Sequence, residues 1–302
     1  MDKKLVFRRL RRNPFFLTGF ICAVVIVLAV VFVPMLLHWD PIRQSLADRF
    51  MAPQGFSEGF KGHILGTDQL GRDVLMRLLI GGRSSLIIAL IAVVLQNVIG
   101  VVLGIVTGYF GGAVDSVVMR ICDVFLAIPA MLVAIAVIAV IGASIFNLIL
   151  VMTLTMWVYL CKVIRNDVRI YKNKEFVSAS RVFGGSDFHI MFKQIFPNIT
   201  TNLLIIGSQS FGTVLLMEAA LGFLNLGIQP PAPSWGNMIN VGRGYLTTYP
   251  WLAIAPGIAL MLTILAFNFL GDGLRDVFDP KRQSFFSKKK NRRKPWKIRQ
   301  PL

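Results

Sequence analysis

Residue types able to do covalent chemistry are few and scattered along this 302-residue chain. The three histidines, His38, His63 and His189, fall on different connecting stretches, and Cys22, Cys122 and Cys161 share no short spacing. Neither a metal-ligand set nor a disulfide framework is indicated. No glycine-rich loop ends in Gly-Lys-Ser or Gly-Lys-Thr, since Gly81-Gly82-Arg83-Ser84 lacks the lysine, and no HExxH or GxSxG string occurs. ATP turnover and hydrolysis on this chain are therefore not expected. What remains is polarity in apolar surroundings. Glu218 is the one carboxylate well inside an apolar run, where desolvation is costly; it lines a path, or it is a protonated or hydrogen-bonded packing residue. Asn268, Asn97 and Gln209 are path linings or interhelical hydrogen-bonding groups. Asp68, Arg72 and Asp73 are spaced for local ion pairs, with Gly66 and Gly71 permitting turns between them.

The elements that must position these residues are six apolar runs, at 15–37, 86–110, 117–141, 144–161, 203–226 and 251–270. Each is long enough to cross about 30 Å of hydrocarbon. The composition agrees: 55% of residues are hydrophobic and 16% charged, against about 25% charged in soluble domains. The first run is too long for a signal-peptide core and lacks a small-x-small cleavage site, so it is read as a retained helix. Gly100, Gly104 and Gly108 leave one face of the second run without side chains, for packing within the chain or against another subunit.

Net charge is +17, and half of the 32 basic residues sit before the first run (Lys3, Lys4, Arg8, Arg9, Arg11, Arg12) or after the last (Lys281 to Arg299). Charge so placed reads as positive-inside topology and attraction to anionic membrane lipid rather than nucleic-acid binding. Even parity then puts both termini in the cytoplasm. The basic stretch 162–202 falls inside, and 38–85 and 227–250 fall outside, with Trp39, Trp235, Tyr249 and Trp251 near the outer boundaries.

The inner stretch 162–202 is too long for a passive turn. Glu175 to Phe183 has helical spacing with Phe176, Ala179 and Phe183 on one face; Gly184 and Gly185 break it, Ser186 or Asp187 caps a second helix, and Pro197 ends that helix. The result is a helix-turn-helix whose aromatics, with Phe188, either dock another protein or pack on the chain's own helix ends. On the outer side, Gln229 to Pro233 is stiff and non-helical, and holds Trp235 for docking or for closure.

Several strings carry a family resemblance. Ser178-Ala179-Ser180, Gly184 and Phe196-Pro197 resemble the cytoplasmic "EAA" loop of type I ABC importer permeases, with Ser178 and Ser180 in place of that loop's first Glu and second Ala. The stretch His63 to Asp73, containing Leu65-Gly66-Thr67-Asp68 and Gly71-Arg72-Asp73, resembles the segment outside the second span in the oligopeptide/dipeptide/nickel branch. Gly227 to Met238 resembles that branch's last outer loop, and Gly271 to Asp276 with Asp279-Pro280 resembles the end of its last span.

The resemblance implies an all-α, six-span permease of the MetI-like fold with a cytoplasmic coupling helix, multi-pass in the cell membrane. It implies a segmentation into 1–82 (basic segment, first span and outer loop), 83–275 (permease domain) and 276–302 (basic tail). It implies no cofactor on this chain, with ATP and Mg bound by two partner ABC ATPases, and as further partners a homologous second permease and an extracytoplasmic substrate-binding protein. Its coupling loop maps onto Glu175, Phe176, Ser178, Ala179, Ser180, Phe183, Gly184, Gly185 and Phe188, and its last outer loop holds Pro231, Trp235 and Asn237 as a binding-protein-facing candidate; Glu218 and Asn268 are path candidates by their polarity within the spans, not by the resemblance. Peptide is the expected cargo and nickel or a metal chelate the alternative. A secondary transporter, a channel or a membrane adaptor are rivals that need no ATPase.

Overall fold

The structure, a computed structural model, describes residues 3–37, 40, 42–55 and 62–278. His38, Trp39 and all but the first three residues of the expected tail lie outside the described residues. A short basic helix, α1 (Lys3–Leu10), leads into the first span, α2 (Pro14–Leu37). The Asn13 side chain accepts from the Phe16 N–H at 3.1 Å, and Pro14 opens the helix where a missing donor costs nothing.

The second span, α3 (Val74–Phe110), is longer than its apolar run, about 55 Å at 1.5 Å per residue. Its start is set by chemistry rather than hydropathy: Asp73 caps it by accepting from the Met76 N–H at 2.8 Å. The string Gly81 to Ser84, expected in a loop, is therefore helical. A second difference lies in the third run, which is not one straight helix. Here α4 (Gly112–Ala127) and α5 (Ala130–Ile141) meet at 87°, because Pro129 cannot continue the ladder and Ile128 before it is extended.

Next, α6 (Ile145–Lys172) runs beside α3, and the glycine strip is the seam between them: Gly100, Gly104 and Gly108 meet Trp157 to Val168, and a Cβ on any of the three would stand within 3.0 Å of α6. The strip thus serves packing within the chain. After it come α7 (Glu175–Val182) and α8 (Asp187–His189), which passes through a π-helical segment, Ile190–Ile195, into α9 (Phe196–Phe223). Pro197 does not end a helix as expected. The Phe196 N–H reaches back five residues to the Met191 carbonyl, so the proline's missing donor falls at the junction between π and α bonding. The chain closes with α10 (Trp235–Arg243) and α11 (Trp251–Phe278). α11 lies against α2 at backbone distance, Gly19 meeting Ala266 and Gly273 meeting Phe16.

Among the described residues, five helices are long and apolar enough to cross a membrane, and six spans result when the bent α4–α5 pair is one. The central core joins α3, α5, α6 and α9 through Ala89, Ala92, Ile138, Leu148, Met152, Leu215 and Leu221. Most other apolar surface on the spans is exposed, as in a chain whose solvent there is lipid. The bundle has two ends, here called the α7 end and the α10 end after the short helices they carry.

Candidate functional site: the two ends of the bundle

At the α7 end, residues 173–186 join α6 to α8. Gly184 adopts φ +78°, and the Gly185 N–H returns to the Ser180 carbonyl at 2.9 Å, a helix-ending turn. A Cβ at 185 would stand 2.7 Å from the Ser180 hydroxyl oxygen, so the second glycine is required as well. The Ser186 hydroxyl then accepts from the His189 N–H at 3.3 Å and starts α8.

This segment is held by one buried side chain. Val177 is 0% exposed and inserts among Ile105, Ile164, Ile190 and Ile195. The residues expected to form the docking surface stand around it: Glu175, Phe176, Ser178, Ala179, Phe183, Gly184 and Phe188 are exposed, and Ser180 and Gly185 half-buried. Val182 (85% exposed), Phe183 (88%) and Phe188 (68%) form an apolar edge at the turn. Of that edge Phe188 lies against Phe192 of the chain's own next turn, 4.6 Å between ring centroids, while among the described residues Val182 and Phe183 remain largely uncovered.

Charged groups that hydropathy alone does not single out gather behind the segment. Asp115 of α4 accepts from Arg165 Nη2 at 2.7 Å and Arg169 Nη2 at 2.6 Å, and from Arg165 Nε. The Tyr109 hydroxyl, at the end of α3, donates to Asp187 Oδ1 at 2.5 Å. The spacing of Arg165 and Arg169, four apart on one helix face opposite a lone acid, was the available signal. Tyr109 offered none beyond its place at the end of a span.

The α10 end is built the other way. Trp235 is 1% exposed; its Nε1–H donates to the Leu78 carbonyl at 2.9 Å, and its ring lies where a side chain on Gly82 would be, 2.5 Å from that position. Asn237 is buried, its Nδ2 donating to the Ile228 carbonyl at 3.3 Å, while Pro231 is exposed. Of the three loop residues expected on a docking face, Pro231 alone presents its side chain there. Trp235 and Asn237 close the loop onto α3 and α9, because an indole with its one donor satisfied is most stable out of water.

The segment 62–73 forms the rest of this end. Asp68 receives Arg72 Nε at 2.7 Å, with Arg77 Nε at 3.5 Å, and all three side chains are buried. His63 Nδ1 lies 2.8 Å from Asp73 Oδ2, behind the cap of α3. Gly71, at φ +70°, could not carry a Cβ without striking the Ser45 carbonyl.

Glu218 is wholly buried on α9, facing Ser85 of α3, whose hydroxyl also accepts from the Trp235 N–H at 3.4 Å. Asn268 is half-buried on α11 and turned toward Gly212 of α9. Glu218 and Asn268 are not brought together: Gly212 and Glu218 are about 9 Å apart along α9. Among the described residues, no three His, Cys, Asp or Glu side chains gather to hold a metal ion.

Comparison with known proteins adds to this geometry. Residues 100–284 match the family described as "Binding-protein-dependent transport system inner membrane component", and residues 4–53 match "N-terminal TM domain of oligopeptide transport permease C". The chain is 37% identical to the oligopeptide transport system permease protein OppC of Bacillus subtilis, over 90% of this chain and 88% of that protein. It is 40% identical to the dipeptide transport system permease protein DppC of Escherichia coli K12, over 90% of each. A third relative, the di/tripeptide transport system permease protein DppC of Pseudomonas aeruginosa, is 36% identical over 88% of each.

Proposed function

The chain belongs to the family of inner-membrane components of binding-protein-dependent transport systems, and from that premise we propose that it is the permease subunit of an ATP-driven peptide importer in which the segment 175–189 receives the motion of a cytosolic ATPase. The chain is a transport subunit rather than an enzyme. Hydrolysis belongs to two ATPase partners, and a homologous second permease completes a path that six spans are too few to enclose. An extracytoplasmic binding protein delivers the cargo at the α10 end. The peptide cargo follows from the names of the relatives, which are oligopeptide and dipeptide permeases.

The observation that carries the coupling assignment is the apolar edge of Val182, Phe183 and Phe188. Such an edge in water is unfavourable unless a partner covers it, and its segment is anchored from behind by Val177 and by the contacts of Arg181 and Asp187 with Tyr109. In this reading both termini and the α7 end face the cytoplasm, which the charges of Arg8, Arg9, Arg11 and Arg12 support. Glu218 and Asn268 remain path candidates: a conformational change that lifts the α10 loop would open Glu218.

The test is affinity purification of the full chain from its native membrane in mild detergent. A second permease and one or two P-loop ATPases in the eluate support the assignment. A chain that elutes alone, or only with itself, contradicts it.

A further inference from the structure

Tyr109 occupies a position that the coupling reading does not by itself explain. It is the penultimate residue of α3, 3% exposed, and it contacts α6, α7 and α8. Its hydroxyl donates to Asp187, the first residue of α8, at 2.5 Å. Its backbone carbonyl accepts from the ammonium of Lys172, the last residue of α6. Its ring lies under two cations, Lys172 Nζ at 5.3 Å and the Arg181 guanidinium of α7 at 5.5 Å from the centroid.

The polarity of each contact is matched. The cations face the electron-rich ring, and the phenol donor faces a carboxylate, so the hydrogen bond is of the stronger, charge-assisted kind. The ring is in turn fixed to the rest of α3, and α3 to α6, by the Gly104 and Gly108 seam, where backbones approach too closely to slide independently. Two further connections run from the segment into the bundle: Val177 packs among Ile105, Ile164, Ile190 and Ile195, and α8 continues through the π-helical residues Ile190–Ile195 into α9. A π segment, with its bonds spaced one residue wider, is uncommon inside a long helix and recurs at functional sites. The segment 175–189 is thus tied to α3 and α6 through Tyr109, and to the π segment through Val177 and α8.

We propose that Tyr109 is the positioning residue through which displacement of the segment 175–189 reaches the paired spans α3 and α6, acting through its hydroxyl on Asp187 and its ring between Lys172 and Arg181. The proposal rests on the coupling assignment above. It goes further in naming the joint.

The test uses the complete importer, purified through this chain and reconstituted in proteoliposomes with its binding protein and a labelled peptide. Uptake and ATP hydrolysis are measured together. Tyr109→Phe deletes the hydroxyl and keeps the ring for both cations. The expected result is an assembled complex whose ATPase rate is retained and whose peptide imported per ATP falls about tenfold, the scale of one charge-assisted hydrogen bond. Asp187→Ala should give the same ratio, and the double variant should be no worse than either single one, since both act through one bond. Asp187→Asn, which keeps an acceptor, should restore part of the ratio.

An unchanged ratio in Tyr109→Phe overturns the proposal, and so does a proportional loss of hydrolysis and uptake, which is what a merely structural residue would give. If Tyr109→Phe does not assemble, the Asp187→Ala and Asp187→Asn pair decides by the same ratio. Failure of the coupling assignment itself is recognised separately, by a wild-type chain that brings no ATPase with it.

Discussion

The α10 end and the α7 end of this bundle both carry aromatic and charged side chains, and they treat the aromatics differently. At the α10 end the indole of Trp235, the Asp68–Arg72 pair and the Asn237 amide are buried and hydrogen-bonded within the chain. At the α7 end Val182, Phe183 and Phe188 face outward, while Val177, the Tyr109 cluster and the Asp115–Arg165–Arg169 group make the interior contacts behind them. The difference teaches that, among the described residues, one end turns its aromatic anchor inward and the other leaves an apolar edge outward, which is what the proposed docking of a partner at the α7 end requires.

Four substitutions sharpen or break that contrast, taken from the largest effect downward. Trp235→Ala removes a fully buried indole from the groove made by Gly82 and should lower stability by about 4 kcal/mol. It should be seen as a fall in the thermal midpoint of the chain in detergent, and an unchanged midpoint would mean that the α10 end is not a packed seal. Asp68→Ala leaves Arg72 and Arg77 buried beside a lost partner and should cost about 3 kcal/mol by the same assay. Gly104→Leu forces side-chain atoms into Ile164 and the Cys161 carbonyl and should cost about 2 kcal/mol. If it were neutral, the α3–α6 seam would be looser than its distances imply.

Phe183→Ser closes the series: its stability should change by no more than about 0.5 kcal/mol, because the ring touches little of its own chain. Its effect belongs to assembly, with recovery of the ATPase in co-purification falling several-fold. Retention of the ATPase at the wild-type level would remove the α7 edge from the interface.

Much of this was legible in the residues. Apolar runs found the spans, because lipid demands long uninterrupted apolar helices and tolerates few exceptions. Gly184, Gly185 and Ser186 marked the turn before α8, since a positive φ and a capping hydroxyl have narrow sequence requirements. The pairing of Asp68 with Arg72 followed from their spacing. What escaped depended on tertiary contact. Hydropathy could not show that α3 begins at Val74, because the cap on Asp73 and the Trp235 groove stabilise a first stretch that is not especially apolar. Nor could Pro129 be told from the many tolerated prolines of membrane helices without the 87° bend, and Pro197 lost its helix-ending role to the π segment before it. By sequence Trp235 is open to docking or closure and Asn237 falls on the outer face, because loop residues usually face solvent and a closed loop is distinguished only by what lies beneath it. The Tyr109 cluster joins residues up to 78 apart, beyond the reach of any local pattern.

The central claim is that this permease moves cargo only when a partner's hydrolysis is delivered at its α7 end. The most direct measurement is uptake of a labelled peptide into proteoliposomes containing the complex purified through this chain, with ATP or a non-hydrolysable analogue supplied on the side of the ATPases. Accumulation that requires hydrolysable ATP, and that is lost in Phe183→Ser together with the ATPase, is the predicted result. Accumulation that proceeds with the analogue, or that follows an imposed ion gradient without ATP, would contradict it.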